Sequence, residues 1–213
     1  IQEDSTWSGN IKKVDQPIEI GGRNEGNLFL DGMVDNIRIS NSDRSAAWVK
    51  AAYHSGFNTL LTVATAEIGP GPISYWSFDE GYSTTAQDRT VNNNDGTLTN
   101  GPVWKTESEC KQSKCLSFDG SDDYIGIGSI SNVSEVVTVS SWIKLGSITD
   151  DFRIFAFDSD AATTNQLIFE GDHTSKCLGL NTFSNDCFGV DYSESGTMSD
   201  WHHVAAIFHD SDY

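Results

Sequence analysis

Two adjacent histidines, His202 and His203, are the first candidates for proton-transfer chemistry, because imidazole titrates close to neutral pH. They lie in Trp201–Phe208, a run rich in β-branched and aromatic residues. Neighbours along a strand point to opposite faces, so the pair cannot act on one substrate together. Glu107 and Glu109 are close together, but they precede Cys110 in a polar loop. No closely spaced Glu/Asp/Glu triplet of the glycosidase kind occurs, and no G-x-S-x-G elbow. Neither C-x-x-C nor H-E-x-x-H is present. The chain is therefore expected not to be an enzyme.

Four cysteines form two close pairs, Cys110 with Cys115 and Cys177 with Cys187, and three pairings are open. Local pairing is the cheapest reading: CKQSKC is a tight loop, and a Cys177–Cys187 bridge would clip a hairpin around GLNTFSND. An acidic surface rich in Ser, Thr, Asn and Gly suits an oxidising compartment, so the expected location is secreted or cell-surface. Of six tryptophans, Trp76, Trp142 and Trp201 sit in strand-like runs and are expected in the core. Trp48 is expected to pack down from a helix. Trp7 and Trp104 fall in loops and are the candidates for a surface on which a sugar ring could stack, against the plainer role of lids on the core.

The elements that must carry these residues are strands. In Val137–Leu145, Val137, Val139, Ser141, Ile143 and Leu145 share one face, and Thr138, Ser140, Trp142 and Lys144 the other. Ile73–Phe78, Phe152–Phe157 and Leu167–Phe169 are further short runs, separated by turn clusters such as NNNDGT and FDGSDD. Many short strands at regular spacing predict an all-β, two-sheet antiparallel sandwich. One short helix is expected over Ala46–His54, capped by Ser45 and stopped at Gly56. The glycines and prolines of Gly56–Pro72 mark a linker.

Thirteen Lys+Arg against 31 Asp+Glu leave a net charge of −18. That excludes nucleic acid, whose phosphates need a basic stripe, and anionic lipid surfaces. No apolar stretch is long enough for a bilayer span, so no membrane insertion is expected. The first residue is Ile1 rather than Met, which suggests a piece of a longer protein.

LFLDGMVDNIRISNSDRSAAWVKAAY (Leu28–Tyr53) resembles the end of a laminin-G-like, concanavalin-A-like jelly roll, which closes with a DG-x-(I/V)-D turn, a last strand and a short helix. PIEIGGRN (Pro17–Asn24) is similar to the strand before it. YWSFDE, NNNDGTLTNGPVW and LSFDGSDDYI resemble the beginning of such a module, and VTVSSWIKL and DWHHVAAIFHD its central strands. The end therefore precedes the beginning. Residues 1–55 read as the closing strands and helix, 56–72 as a linker, and 73–213 as the opening and central strands. The two pieces are expected to complete one sandwich in permuted order.

The resemblance implies a jelly roll and a non-catalytic binding module of a secreted or surface multidomain protein. Its ligand would be a carbohydrate or an extracellular protein, with neighbouring modules of the same chain as further partners. The alternatives are a spacer or adhesin stalk with no ligand, or an accessory module of an extracellular glycoside hydrolase. Calcium is the implied cofactor. The loop Asp158–Asn165 is similar to the calcium loop of pentraxins, which implies Asp158, Asp160 and Asn165 as ligands, with Glu25 as the partner carboxylate. Asp35, Asp79, Asp119, Asp122 and Asp123 read first as turn caps and second as ligands of a structural calcium.

Overall fold

The computed structural model describes residues 17–22, 28–55, 70–130, 133, 136–146, 151–157, 167–172, 177–181, 188–191 and 198–209. Among them the chain forms β1 (Ile18–Ile20), β2 (Asp31–Ser40), α1 (Ala46–Ser55), β3 (Ser74–Trp76), β4 (Thr85–Ala86), β5 (Gly96–Thr99), β6 (Val103–Lys105) and β7 (Cys115–Asp119). There follow β8 (Tyr124–Ile127), β9 (Val136–Leu145), β10 (Phe152–Phe157), β11 (Leu167–Asp172), β12 (Cys177–Asn181), β13 (Phe188–Asp191) and β14 (His202–His209). The first sheet has the order β13-β12-β11-β10-β1-β8-β5-β4. The second has the order β14-β9-β2-β7-β6, with β3 also paired to β2. This is an all-β, two-sheet antiparallel sandwich with one helix.

Period-two alternation makes the two sheets cohere. In β1, Ile18 and Ile20 are fully buried, and they pair with Phe157 and Phe155 of β10 and with Ile127 and Ile125 of β8. In β9, Val137, Val139, Ile143 and Leu145 face inward, beside Val34, Ile37, Ile39, Leu116 and Phe118 of β2 and β7 in the same sheet, and all join one core cluster. Each large apolar side chain buried this way contributes about 1.5–3 kcal/mol. Both sheets depend on residues before the helix. β1 lies between β8 and β10, and β2 lies between β7 and β9. β2 also pairs with β3 in the register Ile37↔Trp76, Arg38↔Tyr75 and Ile39↔Ser74. Residues 18–39 and 73–208 therefore share one hydrophobic core.

Ser45 caps α1: its Oγ accepts the Trp48 N–H (3.2 Å), and its carbonyl accepts the Val49 N–H (3.0 Å). The Arg44 N–H bonds Thr138 Oγ1 on β9 (3.2 Å), which sets the helix over the outer face of the second sheet. Two strands differ from the alternation. β3 stops at Trp76, short of Phe78, because Phe78 takes a φ of +56° while remaining buried. In β2, Asp35 pairs with Trp142 and Arg38 with Ser140, so Asn36 and Ile37 together oppose Ser141 and Asn36 (φ +55°) forms a bulge. The bulge puts both Val34 and Ile37 in the core while Asp35 and Arg38 face outward.

Cys110 and Cys115 are bridged, with Cα atoms 5.5 Å apart. Cys177 is also disulfide-bonded; Cys187 lies outside the described residues. No helix among the described residues is long and apolar enough to cross a membrane.

Candidate functional site

Among the described residues, the carboxylates that converge are those of the β7–β8 turn. Gly120 turns the chain at φ +77°. Asp119 Oδ1 accepts the Ser121 N–H (2.8 Å), Asp123 Oδ2 accepts the Asp119 N–H (3.1 Å), and Asn100 Nδ2 ties down the Asp122 carbonyl (2.9 Å). Asp119, Asp122 and Asp123 each present an oxygen within 4.8 Å of the others. Asp119 and Asp122 are exposed and Asp123 is buried. Burial pushes the Asp123 carboxyl above its usual range, and the charges of Asp119 and Asp122 add to this against the Asp119 N–H. A divalent cation would relieve that repulsion. The donor set is hard oxygen, which fits calcium, and carbonyls and waters would complete its roughly six to eight ligands.

A second place is the β6 edge of the second sheet. Trp104 pairs with Leu116, so its ring turns inward and packs, half-buried, on the core. Its indole N–H bonds the Ser83 carbonyl (2.8 Å), which fixes the ring against the Gly81–Thr84 loop. Next to Ser83, Tyr82 is 76% exposed, and Val103 on β6 is 55% exposed. The sequence reading missed Tyr82. Its signal was an aromatic inside EGYSTT, a segment of turn formers with no strand pattern to bury it.

A third group lies on the outer face of the second sheet. Asp35, Trp142 and His203 form one register row across β2, β9 and β14. Trp142 is buried, as expected, but beneath α1 rather than in the main core: Tyr53 stacks on it at 5.4 Å and Lys111 Nζ lies 4.3 Å from its ring centroid. Burial raises the Asp35 carboxyl to about 7, against the Gln112 N–H bond, with Asp79 adding to the rise. Burial lowers His203 to about 4, helped by the Arg38 charge. His203 Nε2 has no hydrogen-bond partner among the described residues. His202 pairs with Ile143, on the core-facing side, so the two histidines diverge.

Asp158, Asp160, Asn165, Glu25 and Trp7 lie outside the described residues. The five aspartates of the second carboxylate group do not form one site. Asp119, Asp122 and Asp123 meet in the turn, whereas Asp35 binds the Gln112 N–H and the Asn36 amide, and Asp79 accepts the Lys114 N–H. Glu109 accepts the N–H and hydroxyl of Thr106, which lowers its pKa and makes it a turn cap. Trp201 is half-buried at the start of β14 and donates its indole N–H to the Glu109 carbonyl (3.2 Å). No family model, curated protein or solved structure matches this chain.

Proposed function

We propose that the chain is a non-catalytic binding module of a secreted or surface-displayed multidomain protein, with a carbohydrate as its ligand and calcium as its helper. The laminin-G-like motifs and their permuted order motivate the class. The observation that carries the reading is the β6 edge, where Trp104 is held by its indole N–H beside the exposed Tyr82. Trp104 braces the loop from the core side, and the exposed Tyr82 ring offers an aromatic face to a sugar ring. Calcium would be held at Asp119, Asp122 and Asp123, where it would supply a fixed positive charge on a strongly acidic protein.

A glycan-array screen of the whole chain, with and without EGTA, tests this reading. Binding that Tyr82→Ala weakens by about tenfold or more supports it. Absence of glycan binding by a folded protein overturns it. The packing of the Trp104 ring on the core favours a second reading, a structural spacer with no ligand of its own, and glycan silence supports that alternative.

A further inference from the structure

Arg44, on the turn between β2 and α1, is a buried cation. The residue is 3% exposed, and a guanidinium stays charged at any pH at which the chain is folded. Its partners are neutral. A terminal nitrogen donates to the Pro70 carbonyl (2.5 Å), and Cζ lies 4.9 Å from the Trp48 ring centroid. The Nε–H is buried and has no hydrogen-bond partner, and among the described residues no carboxylate forms a salt bridge with Arg44. A buried charge is costly unless an opposite charge meets it. The chain has 31 Asp+Glu, so the missing partner does not reflect a shortage of acid.

The groups around Arg44 are unmatched in the same sense. Thr138, on the outer face of β9, gathers them. Its Oγ1 accepts the Arg44 backbone N–H (3.2 Å) and donates to the Ser42 carbonyl (2.8 Å), and Ser40 stands opposite it in register. Ser140 is the next outward-facing residue of β9, because Val139 between the two is in the core. Ser40 is 1% exposed and Ser140 is fully buried. The hydroxyls of Ser40, Ser42 and Ser140 are buried and, like Arg44 Nε, have no partner among the described residues. Each of these four groups can donate a hydrogen bond. Water could satisfy the hydroxyls but would leave the guanidinium charge unmet. α1 begins at Ala46, two residues after Arg44, and the positive end of its dipole adds to the local preference for an anion.

We propose that this junction is an oxyanion site, in which a phosphate or sulfate group is held by Arg44 and the serine hydroxyls on the outer face of the second sheet. Such a group supplies negative charge and several acceptor oxygens at once, which is what a guanidinium and three hydroxyls require. Asp43, Ser45 and Pro70 are exposed, so the site lies just beneath the surface. Asp43 and the net charge of −18 oppose an anion. Salt screens the distant acids beyond about 8 Å, whereas the donors act at contact. The site stands apart from the β6 edge and does not rest on the carbohydrate reading.

Calorimetric titration of the full chain with inorganic phosphate and with sulfate, against chloride of equal ionic strength, tests the site. Saturable binding of at least one oxyanion is expected below about 10 mM, and Arg44→Met should weaken it by about tenfold or more. Lys50→Gln, which removes an exposed cation from α1, should leave it unchanged. No oxyanion binding by the parent overturns the proposal, as does a loss in Lys50→Gln equal to that in Arg44→Met. Binding that appears only in Glu67→Gln also overturns it, in favour of a carboxylate of this chain; Glu67 lies outside the described residues. Should Arg44→Met not fold, the Arg44 Nε–H resonance of the parent decides. A shift that saturates with phosphate or sulfate but not with chloride supports the site, and a resonance that ignores both oxyanions overturns it.

Discussion

Asp35 and His203 flank Trp142 from opposite sides, one register step away on β2 and on β14, and folding moves their proton-binding ranges in opposite directions. Asp35 is raised from 3.8 to about 7, so its folded form binds the proton more tightly and stability falls as pH rises across that window. His203 is lowered from 6.5 to about 4, so stability falls as pH drops across that window. Between about pH 4 and 6.5 the two slopes cancel, because folding moves a proton from the imidazole to the carboxyl.

The single variants should uncover the hidden slopes. Asp35→Asn should gain stability relative to the parent as pH rises from about 4 to 7, by up to about 4 kcal/mol. His203→Gln should lose stability relative to the parent as pH rises from about 4 to 6.5, by up to about 3 kcal/mol. Urea unfolding at several pH values measures both. Parallel pH profiles for the parent and both variants would remove the compensation.

Much of the fold could be read from local patterns, because they record burial directly. The alternation of Val137–Leu145 gives the two faces of β9, and Ser45 caps the helix where its side chain suggested. The bulge at Asn36 was not legible: one extra residue with φ +55° leaves no mark in hydrophobic periodicity, yet it decides that Asp35 faces outward. Trp142 illustrates the same limit, since its position on the polar side of β9 was visible but the helix and loop that bury it there were not. At the candidate site, the inward turn of Trp104 comes from its register with Leu116, a long-range pairing that no local window contains.

Gly21 takes a φ of +82°, and a Cβ there would strike the Phe118 ring. Gly21→Ala should therefore destabilise by about 2–4 kcal/mol, from backbone strain and overpacking together. The midpoint of urea unfolding reports it. A change below about 0.5 kcal/mol would mean that the chain leaves β1 by another path.

The Cys110–Cys115 bridge closes a short loop, with a sequence separation of 5. Chain entropy assigns such a loop about 2 kcal/mol. Replacing both cysteines by serine should cost about that much, and burial of Cys115 adds a desolvated hydroxyl to the penalty. Thermal unfolding of the double variant beside the oxidised parent checks the sum.

Calcium at the β7–β8 turn would bind the folded chain alone and so raise its melting temperature. At about ten times the dissociation constant the gain is about 1.4 kcal/mol, or about 3–6 °C for a chain of this size. Asp122→Asn should remove the shift with little effect on the fold, since Asp122 is exposed and the Asn100 bond goes to its carbonyl. An equal shift with magnesium would point to general screening of the acidic surface rather than a site.

Ile20 tests whether the segment before the helix and the chain after it unfold as one unit. It is fully buried, and it pairs with Ile125 on one side and Phe155 on the other. Truncation there leaves a cavity between β8 and β10, at a cost of about 2–5 kcal/mol. In a single sandwich that loss reaches every strand, because the β8 and β10 halves of the first sheet are joined through β1. Ile20→Ala should then lower one cooperative transition, and far-ultraviolet dichroism and tryptophan fluorescence should give the same midpoint. If residues 17–55 formed a separate unit, the fluorescence of Trp76, packed against Ile37 on β2, would shift before the bulk of the strand signal. Two midpoints in Ile20→Ala, with one left at the parent's value, would therefore refute a common core.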